Sequence, residues 1–141
     1  MEEEKKENKE AVDVIEKATS NVVGISKVKN VGSSIFLKDS TSKLGLGTGV
    51  VVTDNGYILT NAHVSGEKYS TCYVTLESGE TFTGNVVWSD VNIDLSILKI
   101  SCKNMKYAVL GDSDNIRVGE KVYAIGNPIG FEFERTVTSL S

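Results

Sequence analysis

Proline, histidine and tryptophan each occur once in 141 residues, and cysteine only twice. Each scarcity excludes something. Cys72 and Cys102 permit at most one internal disulfide, and their spacing matches no zinc or redox motif. With one imidazole and two distant thiols, neither a metal site nor a cofactor is expected, and the two cysteines are read as free thiols. One optional bridge and two buried thiols look alike in sequence, so the redox compartment stays open. No run of about 18 apolar residues occurs, and the opening Met-Glu-Glu-Glu-Lys-Lys offers no apolar core of a signal peptide, so neither is expected within these residues. A basic footprint is missing too: the net charge of −4 gives no electrostatic reason to expect nucleic acid or an anionic membrane as partner. What is there is the composition of an ordinary globular domain, 40% hydrophobic and 24% charged, on a chain long enough to bury one core without metals or bridges.

Residues 2–10, EEEKKENKE, lack an apolar anchor and read as a solvated leader that runs at most into a first helical turn. From Ala11 the apolar positions Ala11, Val14, Ile15 and Ala18 fall at helical spacing and predict a short amphipathic helix. Past residue 20 the period changes to short β-rich runs: NVVGISKV, SSIFLK, GTGVVVT, GYILTNAHV, STCYVTLES, TFTGNVVWSD, DLSILKI and KVYAIGN. Glycine, at 13 positions, supplies the punctuation. Asp54-Asn55-Gly56 and Ser78-Gly79, flanked by β-branched or aromatic residues, predict tight hairpins, because glycine accepts a positive φ. Strands at roughly ten-residue spacing without long helices between them predict an antiparallel barrel or sandwich. Trp88 and the tyrosines are read as core or cross-strand partners. Inward positions are expected at Val50 and Val52, and at Ile97.

The single histidine ends the run YILTNAHV. Alone, His63 is a polar residue where a strand leaves a sheet. Asp94, in VNIDLSILKI, adds a carboxylate at the mouth of an apolar strand, where partial burial demands a hydrogen-bond donor. Two readings stand side by side. Asp94 either caps its own turn, or accepts from Nδ1 of His63, fixing the tautomer so that Nε2 can take a proton from a nucleophile.

The blocks GLGTGVVVTDNGYILTNAHV, VTLESGETFTGNVVWSDVNIDLSILKI, AVLGDSDNIRVGEKVYAIGNPIG and RTVTS, in that order, resemble the HtrA (Deg) family of trypsin-like serine proteases from about Val22 to Thr138. The resemblance makes His63 the general base and Asp94 its orienter. Two departures are small: Thr48 stands where the family's G-S-G has serine, and Ser96 where its D-L-A has alanine. The family's nucleophile lies in a later G-N-S-G-G-P block on a second barrel, and no such block occurs in these 141 residues. Ser113, in LGDSDN, copies the first letters of G-D-S-G-G, but Asp114 and Asn115 follow it, and the flanking carboxylates of Asp112 and Asp114 would oppose an oxyanion. Ser65 lacks a Gly-x-Ser-x-Gly context and is read as a loop residue.

The resemblance implies an all-β fold, a six-stranded antiparallel trypsin-like barrel with a short N-terminal helix or arm. Residues 1–20 form the leader and helix and 21–141 the first barrel, with the second barrel absent. It implies a serine endopeptidase that degrades unfolded or damaged polypeptides outside the cytoplasm, in which this chain supplies His63 and Asp94 but not the serine, and is inactive alone. Expected partners are a polypeptide substrate, the second barrel, and further copies of the chain, as a trimer like relatives or a strand-swapped dimer; a membrane enters only through an anchor on a longer protein. AIGNPIG is read as a strand end and turn; the resemblance offers Phe131, Phe133 and Arg135 as a contact surface, and the equal alternative is a loop whose aromatics pack on the barrel. The alternative is a non-catalytic polypeptide-binding or assembly module, a pseudoprotease, on the same barrel.

Overall fold

The computed structural model describes residues 2–28, 43–126 and 136–140. The strand expected at SSIFLK and the contact surface at Phe131, Phe133 and Arg135 lie outside the described residues.

The N-terminal helix α1 runs from Glu2 to Thr19, so the charged leader is its first half and not a separate tail. Three glutamates in its first turn and Lys17 in its last oppose the helix dipole favourably. Ala11, Ile15 and Ala18 are half-buried, Val14 is exposed, and Thr19, fully buried, donates its hydroxyl to the Ile15 carbonyl at 2.6 Å. Among the described residues no helix is long and apolar enough to cross a membrane.

Six strands follow: β1 (Val22–Val28), β2 (Lys43–Val51), β3 (Tyr57–Thr60), β4 (Thr71–Thr75), β5 (Thr81–Asp90) and β6 (Leu95–Lys99). They close into an antiparallel barrel in the order β1-β2-β3-β6-β5-β4, as expected. The two predicted hairpins are present, and Gly56 and Gly79 take φ of 97° and 93°. A closed barrel of this size has no lumen, so side chains fill it. The core is Val23, Ile25, Val51, Ile58, Cys72, Val74, Val86, Leu98 and Ile100, with Val64 entering from outside the strands.

The expected inward phase is wrong by one residue on two strands. Val51, not Val50 or Val52, faces the core, and Ser96, Leu98 and Ile100 do so in place of Ile97. Both runs are apolar on successive residues, so their pattern did not distinguish the faces. Trp88 is also not core: it is 42% exposed, beside a bulge between Val86 and Trp88 that leaves Val87 unpaired and turns this end of β5 outward. It does pair across strands, opposite Ile97. Tyr69 is 80% exposed. Cys72 and Cys102 are free thiols, one buried and one half-buried.

Two further strands, β7 (Val122–Gly126) and β8 (Thr136–Leu140), pair antiparallel with each other and, among the described residues, not with the barrel. The span 21–141 therefore encloses more than the closed barrel. The connection from β6 to β7 carries exposed apolar residues, including Tyr107, Val109, Leu110, Ile116 and Val118.

Gly56 and Gly79 separate conformational cost from crowding. A Cβ on Gly79 meets nothing within 4 Å, whereas one on Gly56 would lie 2.4 Å from the Ile100 carbonyl oxygen. Gly79→Ala is expected to cost roughly 1 kcal/mol, for the left-handed backbone alone. Gly56→Ala is expected to cost more than about 3 kcal/mol, read as shifted urea midpoints at unchanged slope.

Candidate active site

Beyond Thr60 the strand does not simply end at a histidine. Residues Ala62–Ser65 form a single helical turn, α2, closed by backbone bonds from Val64 and Ser65 to the Asn61 carbonyl and from Gly66 to that of Ala62. Gly66 terminates it at φ 84°, ψ −176°, a conformation open essentially to glycine alone. Val64 points into the core, and Gly47 of β2 makes room for it: a Cβ there would lie 2.8 Å from a Val64 methyl. One buried residue in the turn thus fixes the direction of its exposed neighbour, His63.

Asp94 arrives from the other side of the same seam. β3 and β6 pair with Thr60 opposite Ser96, so the chain leaving β3 and the chain entering β6 meet at one end of the barrel. The turn before β6 holds Asp94 at φ 53°, a left-handed conformation that aspartate tolerates better than most residues. There its carboxylate takes two donors from one residue: Oδ1 accepts the His63 backbone N–H at 2.8 Å and Oδ2 lies 2.5 Å from Nδ1. The structure therefore brings together both residues singled out in the sequence. The reason differs from the one expected. The Asp94 side chain is 43% exposed and that of His63 70%, so hydrogen bonding, not burial, accounts for the pairing.

The His63 backbone N–H, followed by its side chain, holds the Asp94 carboxyl below the usual carboxylate range, against an opposing effect of desolvation. An ionised Asp94 accepts from Nδ1–H, which leaves the lone pair of a neutral imidazole on Nε2. That nitrogen can accept a proton, and the adjacent carboxylate stabilises the imidazolium so formed.

Asn61 was missed. It occupies the N-cap of α2, yet its side chain makes no cap; instead Nδ2 donates to the Asp94 backbone carbonyl at 2.9 Å. A cap residue that abandons its helix for a residue 33 positions away has no local signature. Among the described residues the two other candidate serines make no hydrogen bond to the pair. Ser113 starts an exposed 3-10 turn whose Asp112 carboxylate accepts from the Asp114 N–H and from Asn115 Nδ2. Ser65 is not a loop residue: it ends α2 and is fully buried. Among the described residues no cluster of three or more His, Cys, Asp or Glu could hold a metal ion.

Residues 47–140 match the family described as "Trypsin-like peptidase domain". The chain is 43% identical over 134 residues to "Serine protease Do-like HtrB" of Bacillus subtilis (strain 168), covering 89% of this chain and 29% of that protein. It is 38% identical over 95 residues to "Probable periplasmic serine endoprotease DegP-like" of Chlamydia muridarum (strain MoPn / Nigg), 67% of this chain and 19% of the relative. The solved structure "HtrA-type protease AlgW with decapeptide" superposes with a TM-score of 0.71 at 30% identity, over 89% of this chain and 42% of that one. The chain thus spans less than a third of the length of these curated relatives.

Because the native carboxyl of Asp94 titrates below its unfolded value of about 3.9, its contribution to stability is present above that pH and is lost as pH falls through the native value. Asp94→Asn is expected to be less stable than the parent at pH 7, and the gap should close below about pH 4. Urea unfolding across a pH series reads this directly; a gap that stays constant into acid refutes it.

Proposed function

The chain belongs to the trypsin-like peptidase family, on the branch of the HtrA and DegP-like serine proteases, and from that membership we propose that it supplies the general base and its orienter to a serine endopeptidase. His63 is the base and Asp94 the orienter. The observation that carries this is the two-point grip of Asp94 on His63, which fixes both the position and the tautomer of the imidazole. A serine from a G-N-S-G-G block outside these residues attacks the peptide carbonyl. Its proton passes to Nε2, and the imidazolium returns it to the leaving amine. This route needs no metal or cofactor. The oxyanion hole and the specificity pocket belong to the same second barrel as the serine, so residues 1–141 alone are inactive.

The ribbon of β7 and β8 supports that division. An isolated pair of strands is marginally stable in water, and here both strands leave one edge without a partner strand among the described residues. The exposed apolar side chains from Tyr107 to Val118 lead directly to it. We read the ribbon as the start of the second barrel and the apolar connection as surface that the barrel covers. Without it, residues 1–141 should self-associate. Light scattering is expected to show dimers or larger species at micromolar concentration, and a monodisperse monomer would count against this surface being an interface.

The relatives named periplasmic endoproteases and the peptide-bound neighbour support a polypeptide substrate and a location outside the cytoplasm. Unfolded or damaged polypeptides are the substrate class we assign. The expected experiment has two arms. Residues 1–141 alone should not label with a fluorophosphonate, and fusion to the remainder of the protease domain of the Bacillus relative should restore labelling and casein cleavage. In the fusion, His63→Ala should lower kcat by roughly 10³-fold or more. Labelling of the chain by itself overturns the division of the triad, and an undiminished kcat in His63→Ala returns the barrel to a binding or assembly role.

A further inference from the structure

Behind the exposed pair lie two hydroxyls and a thiol that the proposed chemistry does not use. Ser65, Ser96 and Cys72 are all completely buried. Ser65 closes α2 two residues after His63, and Ser96 enters β6 two residues after Asp94. Their Oγ atoms are 2.6 Å apart. Ser65 Oγ also lies 2.9 Å from the Gly66 carbonyl oxygen, and the Cys72 thiol, from β4, donates to the Ser65 carbonyl at 3.1 Å. Burial pushes the Cys72 thiol up against an opposing pull from Lys27, which keeps it a donor.

We propose that Ser65 and Ser96 are positioning residues for the His63–Asp94 pair, their hydroxyl contact pinning the helical turn that carries the base to the strand that carries its orienter. The proposal rests on reading that pair as base and orienter. A four-residue turn has no helical stability of its own, so its orientation comes from what it is fastened to. On the solvent side the fastenings are Asn61 on the Asp94 carbonyl and the Asp94 carboxylate on the His63 backbone N–H, exposed bonds that water competes for. The buried hydroxyl contact meets no such competition. Ser65 and Ser96 are 31 residues apart, as are His63 and Asp94, so the buried contact repeats the exposed one a single strand step further in. Displacement at one is transmitted to the other, and misplacement of a catalytic group by less than 1 Å is costly.

The two serines are not equivalent. Removing Ser96 leaves Ser65 its bond to Gly66, whereas removing Ser65 strips Ser96 of its partner and orphans a buried hydroxyl. Ser65→Ala should therefore lower the urea midpoint more than Ser96→Ala, and the double variant should recover much of that loss because no orphan remains. Position should not recover. His63 is the only histidine, so its Nδ1–H proton resonance is identified without ambiguity in the full 141-residue chain. In Ser65→Ala/Ser96→Ala that proton is expected to exchange with water about tenfold faster or more, and the Asp94 carboxyl, followed by ¹³C titration, to move toward its ordinary value. A double variant with parental exchange and titration overturns the proposal and leaves the serines a purely structural role. Should Ser65→Ala fail to fold, Ser96→Ala and the double variant still decide it. No turnover is measured, so an inert chain leaves the test intact, and a parental resonance sinks the proposal even where the fusion proves proteolytic.

Discussion

The structure of the site depends on one carboxylate that receives two N–H groups from a single residue. Asp94 reaches both the backbone and the ring of His63, and two contacts from one residue fix an orientation where one contact would leave a swivel. Everything around it makes that geometry available. β3 and β6 are sequence-distant neighbours whose register, Thr60 opposite Ser96, delivers the two chain ends to one place. Val64, buried, and Gly66, in a conformation reserved for glycine, set the turn that carries the ring. The left-handed backbone at Asp94 aims the carboxylate, and Asn61 holds the carbonyl of that same residue. The barrel is in this sense a jig, closed on itself so that its end is rigid.

The two sides of α2 are fastened differently. Toward solvent are charge-assisted contacts to an ionised aspartate, short but open to water. Toward the core, neutral hydroxyl and thiol bonds tie the turn to β6 and β4, protected by burial. Strong exposed bonds on a weakly anchored turn would give a correctly paired but wandering imidazole. The inner bonds, together with the buried Val64, supply the anchorage that the outer ones lack.

What was legible in the sequence follows from how local its cause is. Hairpins at Gly56 and Gly79 were readable because the positive φ is demanded at the glycine itself. The strands were readable from apolar runs between such turns, but their facing was not: in GVVVT and LSILKI, apolar residues sit on both faces, and the barrel decides which enters. The charged start reads as a leader because it has no apolar anchor; helical propensity and favourably placed end charges carry it as α1 all the same. His63 and Asp94 stood out as the only imidazole and a carboxylate against an apolar strand. Asn61, Ser65 and Ser96 were invisible because their partners lie 31 to 33 residues away, and nothing in TNAHVS or DLS announces a contact across the barrel end.

The exposure of the pair carries a further consequence. A hydrogen-bonded ion pair in water is weak, and the stabilisation of an imidazolium by a carboxylate grows as water is excluded. With ring and carboxylate 70% and 43% exposed, this chain holds the pair in geometry but leaves it in a high dielectric. The missing part of the site, on the proposed reading, is therefore more than a serine. Whatever surface covers His63 also removes water from the Asp94 contact, which strengthens that electrostatic interaction. A nucleophile brought near this imidazole without such a cover would find a base that is correctly placed and poorly supported. Positioning is built into the barrel, and the electrostatic half of the task falls to the surface that meets it.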